Sequence, residues 1–429
     1  MIERYCTEAM TSLWSREAKY ARWLEVEVAI CAEYAEAGII PREDYEAIKA
    51  AGSFELARCD ELEKETRHDL MAFVRNVSER VSAHAGREPS PSRWIHMGVT
   101  SYDVIDTALG MMMRDSCTVL IESAERLIGA INDLDHQHGH HPCIGRTHGI
   151  HAEPITFGHK LEGWREELNR HLKRLEANRT EIAVGKISGP VGIHAHVDRS
   201  LEAKICARLG LSADPSSTQI VARDRHASVL CELAVLAGSL ERIATELRNL
   251  QRTEILEVQE EFAKGQTGSS AMPHKRNPWN SETICGLSRL VRGNAHAMLE
   301  SIMTWHERDL TNSSLERVIF PDTFQVVDFM LHRLTRILSG LVVMPDNMAR
   351  NLRLMGDLVF SEHVMVALTK KGMTREAAYK VAQRNAALAW EGNDFKTSVE
   401  HDPDVASRLS AEEVEEMFSL EHHLRNAPK

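Results

Sequence analysis

The chain has 429 residues and a formal charge of -12 from 51 basic and 63 acidic side chains, a balance that argues against nucleic acid as a partner. Its eight cysteines stand at least 25 residues apart with no CxxC pair, so neither a disulfide framework nor a cysteine zinc centre is expected. The opening MIERYCTEAM lacks the apolar core of a signal sequence, and nowhere do eighteen apolar residues run together. These features predict a cytoplasmic chain without a membrane partner.

Thirteen prolines, 5% aromatic residues and abundant Ala, Leu, Glu and Arg favour helix over sheet, so the expected class is all-α. In chain order, a helical N-terminal domain is expected over 1–100, a central domain of long helices over 101–348 and a small helical domain over 349–429. The first long helix should run from Asp103 to about Asp135, carrying Ile105, Leu109, Met112, Leu120, Leu127, Ile131 and Leu134. A second spans Pro154 to about Ile182. A third, over about 222–263, carries Val229, Leu233, Leu236, Leu240, Ile243, Leu247 and Leu250 at alternating spacings of four and three, a coiled-coil-like seam. Such a rod is roughly 60 Å long at 1.5 Å per residue. A fourth begins at Pro278. Breaks rich in Gly, Pro, Ser and Asp fall near 84–101, 183–218, 264–278 and 345. Each apolar stripe is read as bundle core rather than as a ligand site. Together they need more cover than the short terminal segments supply, so the bundle should be completed by other subunits.

Between two of these helices, 264–278 runs from loose glycines (Gly265, Gly268) through Ser269 and Ser270 to the basic turn Pro273-His274-Lys275-Arg276-Asn277-Pro278. It reads as a mobile lid. Asn277 suits a helix cap and Pro278 the first turn, so the segment should end on a helix N-terminus whose free N–H groups attract an anion, with Lys275 beside it. An ordinary capping loop has much the same composition.

Six histidines lie between 136 and 151, with His148 and His151 three residues apart. A metal site does not follow. Gly139, Pro142, Gly145 and Gly149 interrupt any shared helical face, and there is no HExxH pattern. His136, His138, His140 and His141 are read as surface or structural residues.

The run Gly268-Ser269-Ser270-Ala271-Met272-Pro273-His274-Lys275-Arg276-Asn277-Pro278 resembles the signature loop of the fumarase/aspartase superfamily. Gly145-Arg146-Thr147-His148-Gly149-Ile150-His151-Ala152-Glu153-Pro154 resembles its second block. The resemblance implies a fumarase/aspartase-type fold with a central long-helix bundle, and a β-elimination without metal or organic cofactor. It makes Ser269 the base, with Ser270 the competing candidate, and makes His148 the acid that protonates the departing nitrogen. Lys275, Asn277 and loop amides would stabilise the doubly charged aci-carboxylate. Thr147 would touch substrate, and Glu282 would orient and charge the histidine; unaided by the resemblance, Glu282 reads as a solvated helix residue.

Three further blocks resemble the adenylosuccinate-cleaving branch in particular. They are Thr66-Arg67-His68-Asp69, with His68 at the active site; Trp94-Ile95-His96-Met97-Gly98-Val99-Thr100-Ser101-Tyr102-Asp103, with His96, Thr100 and Ser101 as substrate contacts; and Trp305-His306-Glu307-Arg308-Asp309 with Ser313, Ser314, Glu316 and Arg317, which grips a nucleotide's phosphate and ribose. Arg4, Tyr5 and Gln219 match binding positions too. Departures occur at Tyr102, Thr311, Asn312 and Leu315. The implied partner is a small-molecule nucleotide, and the implied assembly is a homotetramer with active sites shared between subunits. Carboxymuconate cycloisomerases share the His-Lys-Arg pattern of the lid and are the leading alternative. Argininosuccinate lyases and fumarases rank lower, and a non-enzymatic protein on the same scaffold is opposed by the intact Ser269, Lys275, Asn277 and His148.

Overall fold

The structure is a computed structural model that describes residues 1–262, 265 and 271–427. Helices dominate as expected, and among the described residues sheet is confined to three two-stranded pairings. No described helix is long and apolar enough to cross a membrane. The long helices are Ser101–His138, Phe157–Ile182, Asp224–Leu250, Trp279–Glu300 and Thr311–Ser339.

The chain divides into two compact units, the first comprising Met1–Arg126, Asn169–Glu241 and Ile284–Arg333. Its N-terminal part packs Tyr20 and Trp23 against Phe54 and Phe73 with ring centroids 4.6–6.0 Å apart, anchoring the Arg16–Glu36 and Asp69–Ala85 helices. In its helical part the seam residues Val229, Leu233, Leu236 and Leu240 are all buried, as their spacing predicts.

Charge is also buried here. Arg223 lies at the foot of the Asp224–Leu250 helix and donates Nη1 and Nη2 to Asp106 at 2.8 and 3.0 Å, and Nε and Nη2 to Glu316 at 2.7 and 3.1 Å. Asp106 stands on Ser101–His138 and Glu316 on Thr311–Ser339, so one guanidinium ties three helices. Burial opposes Asp106's charge, but the guanidinium outweighs it and holds this carboxyl below the usual range. For Glu316 burial wins, and its carboxyl is pushed up despite the same partner. Burial and Arg223's field push the adjacent His226 down to about 3, so its imidazole stays neutral and adds no positive charge.

The second unit comprises Leu127–Leu168, Arg242–Thr283 and Leu334–Lys429. Val364, Leu368, Val381, Phe395 and Val399 form the core of its C-terminal helices. Two expectations are corrected here. The helix expected over about 222–263 ends at Leu250, giving about 40 Å instead of 60 Å at the standard rise. Leu256 takes a left-handed φ of 47°, the Glu257 N–H returns to the Leu250 carbonyl at 2.9 Å, and Val258–Gln259 pairs antiparallel with Val342–Val343. A continued helix would forfeit that pairing. The helix expected from Pro154 begins instead at Phe157, because Ile150–Thr156 is a strand paired with Pro142–Thr147 and Pro154 lies opposite Ile144.

Arg223→Ala leaves two buried carboxylates without their counter-charge, so it is expected to cost about 3–5 kcal/mol of stability, whereas an exposed ion pair such as Arg42 with Glu46 should contribute under about 1 kcal/mol. Urea midpoints of the two alanine variants, Arg223→Ala and Arg42→Ala, check the contrast.

Candidate active site

In the first unit three chain segments converge on a cavity of about 390 Å3. The first is the Arg67-His68-Asp69 turn. Arg67, at φ 52°, ends the Leu56–Thr66 helix in a left-handed conformation, and the His68 side chain then caps the Asp69–Ala85 helix by accepting from the Met71 N–H. That leaves His68 exposed at the cavity wall and Asp69 buried behind it. Burial works against Asp69's charge, but Arg317, with Nη1 2.8 Å away, and Lys19 hold its carboxyl below the usual range.

The second segment is the start of the Ser101–His138 helix. Asp103 fixes it by accepting the Thr100 N–H at 2.8 Å, and Asp103 is anchored in turn by the buried Lys186 ammonium and the Ser188 and Gly189 N–H groups. Ser101 and Tyr102 thereby face the cavity. The third segment runs from Arg308 into the Thr311–Ser339 helix, whose first two turns present Ser313 and Arg317.

Arg308 is the most constrained of these groups. Its guanidinium lies 3.5 Å from the Tyr102 ring centroid, and Nη1 donates to Gln219 Oε1 at 3.0 Å. The Gln219 amide is fixed by donating to the Pro190 carbonyl at 3.1 Å. Nε and Nη2 of Arg308 are buried and have no acceptor among the described residues. Two buried cationic N–H donors without acceptors are costly, and an anion in the cavity removes that cost. Burial pushes the Tyr102 phenol up although Ser313 hydrogen-bonds to it. The departure at Tyr102 therefore supplies the platform under Arg308.

The cavity thus gathers Arg67, His68, Asp69, Ser101, Arg308, Ser313 and Arg317, with Gln219 behind Arg308. It does not gather Arg4 and Tyr5, which form a 3-10 turn; Tyr5 packs edge-on to Phe329 at 5.4 Å and Arg4 is exposed. Thr100 and His96 also lie outside the cavity wall, the former bonded to Asp103 and the latter to Glu27.

In the second unit His148 occupies the tip of the Pro142–Thr147 and Ile150–Thr156 hairpin. Thr147 pairs with Ile150 while His148 (φ 54°) and Gly149 (φ 78°) make the two-residue turn, both left-handed as a type I′ turn requires. His148 and Thr147 are exposed. The hairpin is held just below its turn by Arg146, which pairs with His151 and whose Nη1 and Nη2 donate to the buried Glu257 at 3.3 and 2.6 Å. Lys275 and Glu282 are exposed and Asn277 is half-buried; Glu282 sits on the first turn of Trp279–Glu300. Ser269 and Ser270 lie outside the described residues.

The helix N-terminus after the lid departs from the sequence expectation. Two of its N–H groups are taken within the chain: the buried Glu260 accepts the Ser281 N–H at 2.8 Å, the Asn280 N–H at 3.3 Å, the Ser281 hydroxyl at 2.6 Å and the Asn280 side-chain amide at 2.7 Å. The chain supplies its own carboxylate at the positive helix end. Sequence reasoning passed over Glu260 and Glu27, which offered no signal, and noted Tyr102 only as a departure from the family pattern.

Residues 4–293 match the lyase family and residues 357–429 match the family described as adenylosuccinate lyase C-terminus. A curated adenylosuccinate lyase from Synechocystis is 49% identical over 99% of this chain and 98% of its own length. Among solved structures, a fumarate lyase from Mesorhizobium aligns with TM-score 0.87 and 28% identity over 99% of this chain and 96% of that one. The 3-carboxy-cis,cis-muconate lactonizing enzyme from Pseudomonas putida aligns with TM-score 0.86 and 28% identity over 98% and 94%. Identity at full length is thus far higher to the adenylosuccinate lyase than to the muconate enzyme, and the chain belongs to the adenylosuccinate lyase family.

Proposed function

We propose that the protein cleaves adenylosuccinate to AMP and fumarate, and the succinylated imidazole-carboxamide ribotide by the same elimination. The geometry that best supports this reading is Arg308, whose two unpaired buried donors suit the phosphate of a nucleotide, with Ser313 and Arg317 beside it. The direct experiment supplies adenylosuccinate and follows fumarate. Absence of fumarate, with turnover of a carboxymuconate instead, would replace this function with the cycloisomerase reading.

The elimination removes a proton from the carbon next to a succinyl carboxylate, places two negative charges on that carboxylate, and then breaks the C–N bond. Ser269 takes the proton. Lys275, Asn277 and neighbouring amides balance the developing charge, worth several kcal/mol where water is excluded. His148 gives a proton to the nitrogen as it leaves, and Glu282 orients the imidazole. A tip histidine on a type I′ turn suits this role, because the turn fixes its backbone while its ring faces outward. His68 completes the acid-base set at the nucleotide cavity. No step needs a metal or organic cofactor, so chelator-treated protein should keep its activity.

Arg308→Leu should raise KM by roughly 10- to 100-fold with kcat changed far less, because a phosphate contact remote from the breaking bond contributes similarly in ground and transition states. His148→Ala and Ser269→Ala should instead lower kcat strongly with modest change in KM. Steady-state kinetics separate the two patterns. If Ser270→Ala loses turnover while Ser269→Ala keeps it, the base moves by one residue.

The working form is a homotetramer in the cytoplasm whose sites each combine blocks from three chains, with His148 and Ser269 drawn from different subunits. Two inactive variants, His148→Ala and Ser269→Ala, should then complement each other when subunits exchange, because some sites receive both intact residues. With random equal mixing about a quarter of sites are whole in a closed symmetric oligomer. Persistent inactivity after exchange is verified by mass would reject the shared site and leave the lyase assignment standing.

A further inference from the structure

The segment from Trp94 to Thr100 carries His96, yet it has no regular structure beyond the Pro91–Trp94 turn and is held from one side by the Arg16–Glu36 helix. Three residues on one stripe of that helix do this. Glu27 accepts the His96 N–H at 2.9 Å and meets His96 Nδ1 at 2.7 Å, Cys31 donates to the Trp94 carbonyl at 3.7 Å, and Tyr34 donates to the Met97 carbonyl at 2.9 Å. Their spacing, four residues and then three, is the helical repeat of a single face.

Among the three only Glu27 is a carboxylate, and it is 2% exposed against 13% for the His96 side chain. A buried carboxylate costs free energy unless it is bonded, and both of its oxygens are used on one residue. His96 itself is held at φ 62°, a left-handed conformation that a non-glycine residue rarely adopts without support, and the bond from its N–H to Glu27 supplies that support. The carboxylate therefore fixes both the backbone and the ring. With the proton at Nδ1 committed to Glu27, Nε2 is the ring's remaining edge.

We propose that Glu27, which lies outside every motif of the family resemblance, is a positioning residue for His96: its buried carboxylate orients the imidazole so that the Nε2–H side is turned to an anionic group of the substrate. This rests on the nucleotide-lyase reading together with the family resemblance, which makes His96 a substrate contact although it lies outside the wall of the first unit's cavity. Burial alone would lower the imidazole's pKa, but Glu27 outweighs it, with a smaller push from Asp103, so the ring keeps its positive charge to higher pH than an ordinary histidine. The other titratable groups around this arrangement do not oppose it. Cys31 and Tyr34 are both pushed up by burial and stay neutral, Asp103 is paired with Lys186, and His196 lies beside Gly98 next to the Tyr34 hydroxyl, with no bond to Glu27 or His96.

The sign follows directly. A charge raised in this way is present at low pH and lost as pH rises through the elevated pKa, so kcat/KM should fall on that alkaline limb. Glu27→Gln removes the carboxylate's charge and should move the limb to lower pH by roughly one unit, lowering kcat/KM near pH 8 about tenfold, mostly through KM. In a His96→Gln background the same substitution should change kcat/KM by less than about twofold, because a residue that acts only through His96 has nothing left to act on. Equal losses in both backgrounds, or no loss in either, overturn the proposal. If Glu27→Gln does not fold, Glu27→Asp, which keeps the charge one methylene short, is read in the same cycle and should give a smaller, equally His96-dependent loss. Ring-proton NMR of His96, assigned with the His96→Gln protein, reads the pKa without any turnover. A His96 titration that does not move on substituting Glu27 rejects the proposal even where adenylosuccinate is cleaved, and wild-type protein that releases no fumarate rejects the lyase reading even where the titration moves.

Discussion

The cavity of the first unit depends on one guanidinium that never touches it. Arg223 joins Asp106 and Glu316, and each carboxylate sits within a turn or so of cavity residues on its own helix: Asp106 beyond Ser101 and Tyr102, and Glu316 between Ser313 and Arg317. The relative setting of those two helices is therefore fixed by charge-assisted bonds in a place where water cannot compete. Packing alone does not give this precision, since apolar seams such as Val229 to Leu240 allow small shifts along the helix axis at little cost, whereas a bidentate fork does not. The cost is two carboxylates buried around one guanidinium: burial, helped by Asp106's charge, pushes Glu316 up, while burial and Arg223's own field keep His226 neutral, so it offers no second cation.

A similar logic recurs at each chain break that carries a candidate residue. Asp103 collects the Thr100, Ser188 and Gly189 N–H groups together with Lys186, Glu257 holds Arg146, and Glu27 holds His96. In each case a carboxylate 0–2% exposed at its side chain satisfies backbone or cationic donors, in irregular segments for Asp103 and Glu27 and next to the hairpin's turn for Glu257. The helices supply rigid carriers, and these carboxylates set the irregular segments between them. That arrangement places functional side chains on short connections while keeping them as well defined as helical ones.

Much of this was legible in the sequence because it is local. The apolar stripe from Ile105 to Leu134 lies in Ser101–His138, the break near 84–101 separates helices, the one near 183–218 does so but holds the Arg199–Arg208 helix within it, and the lid pattern points to the superfamily without any structure. What was not legible depends on contacts distant in sequence. The helix past Leu250 looked continuous because 251–263 holds few breakers, and what ends it is a strand pairing in which Val258 meets Val343, 85 residues away. The hairpin under His148 was hidden by its glycines and by Pro154, read as helix punctuation, although His148-Gly149 is a good type I′ pair once two strands flank it. Glu27 and Glu260 look like ordinary helix and loop acids; only their partners, 69 and 21 residues away, distinguish them.

The Glu260 cap also bears on how an elimination site of this kind has to manage charge. A helix N-terminus offers about half a positive charge and several free N–H groups, and sequence alone suggested that the turn after the lid would lend them to a substrate anion. Glu260 takes two of them instead, with Asn280 and Ser281 both bound to its oxygens. The start of Trp279–Glu300 thereby carries its own counter-charge, and the exposed His274, Lys275 and Arg276 and the half-buried Asn277 stand just before it. Charge stabilisation carried by a lysine on an irregular segment has a consequence that a helix dipole lacks. A dipole acts on any anion at the helix end at all times, whereas a lysine reaches the aci-carboxylate only in the conformations that bring its ammonium close, so binding and charge stabilisation can be separated in time. A helix capped by Glu260 with a basic turn ahead of it keeps the scaffold stable without substrate, and under the proposed mechanism it leaves the electrostatic contribution to a side chain that no regular element holds.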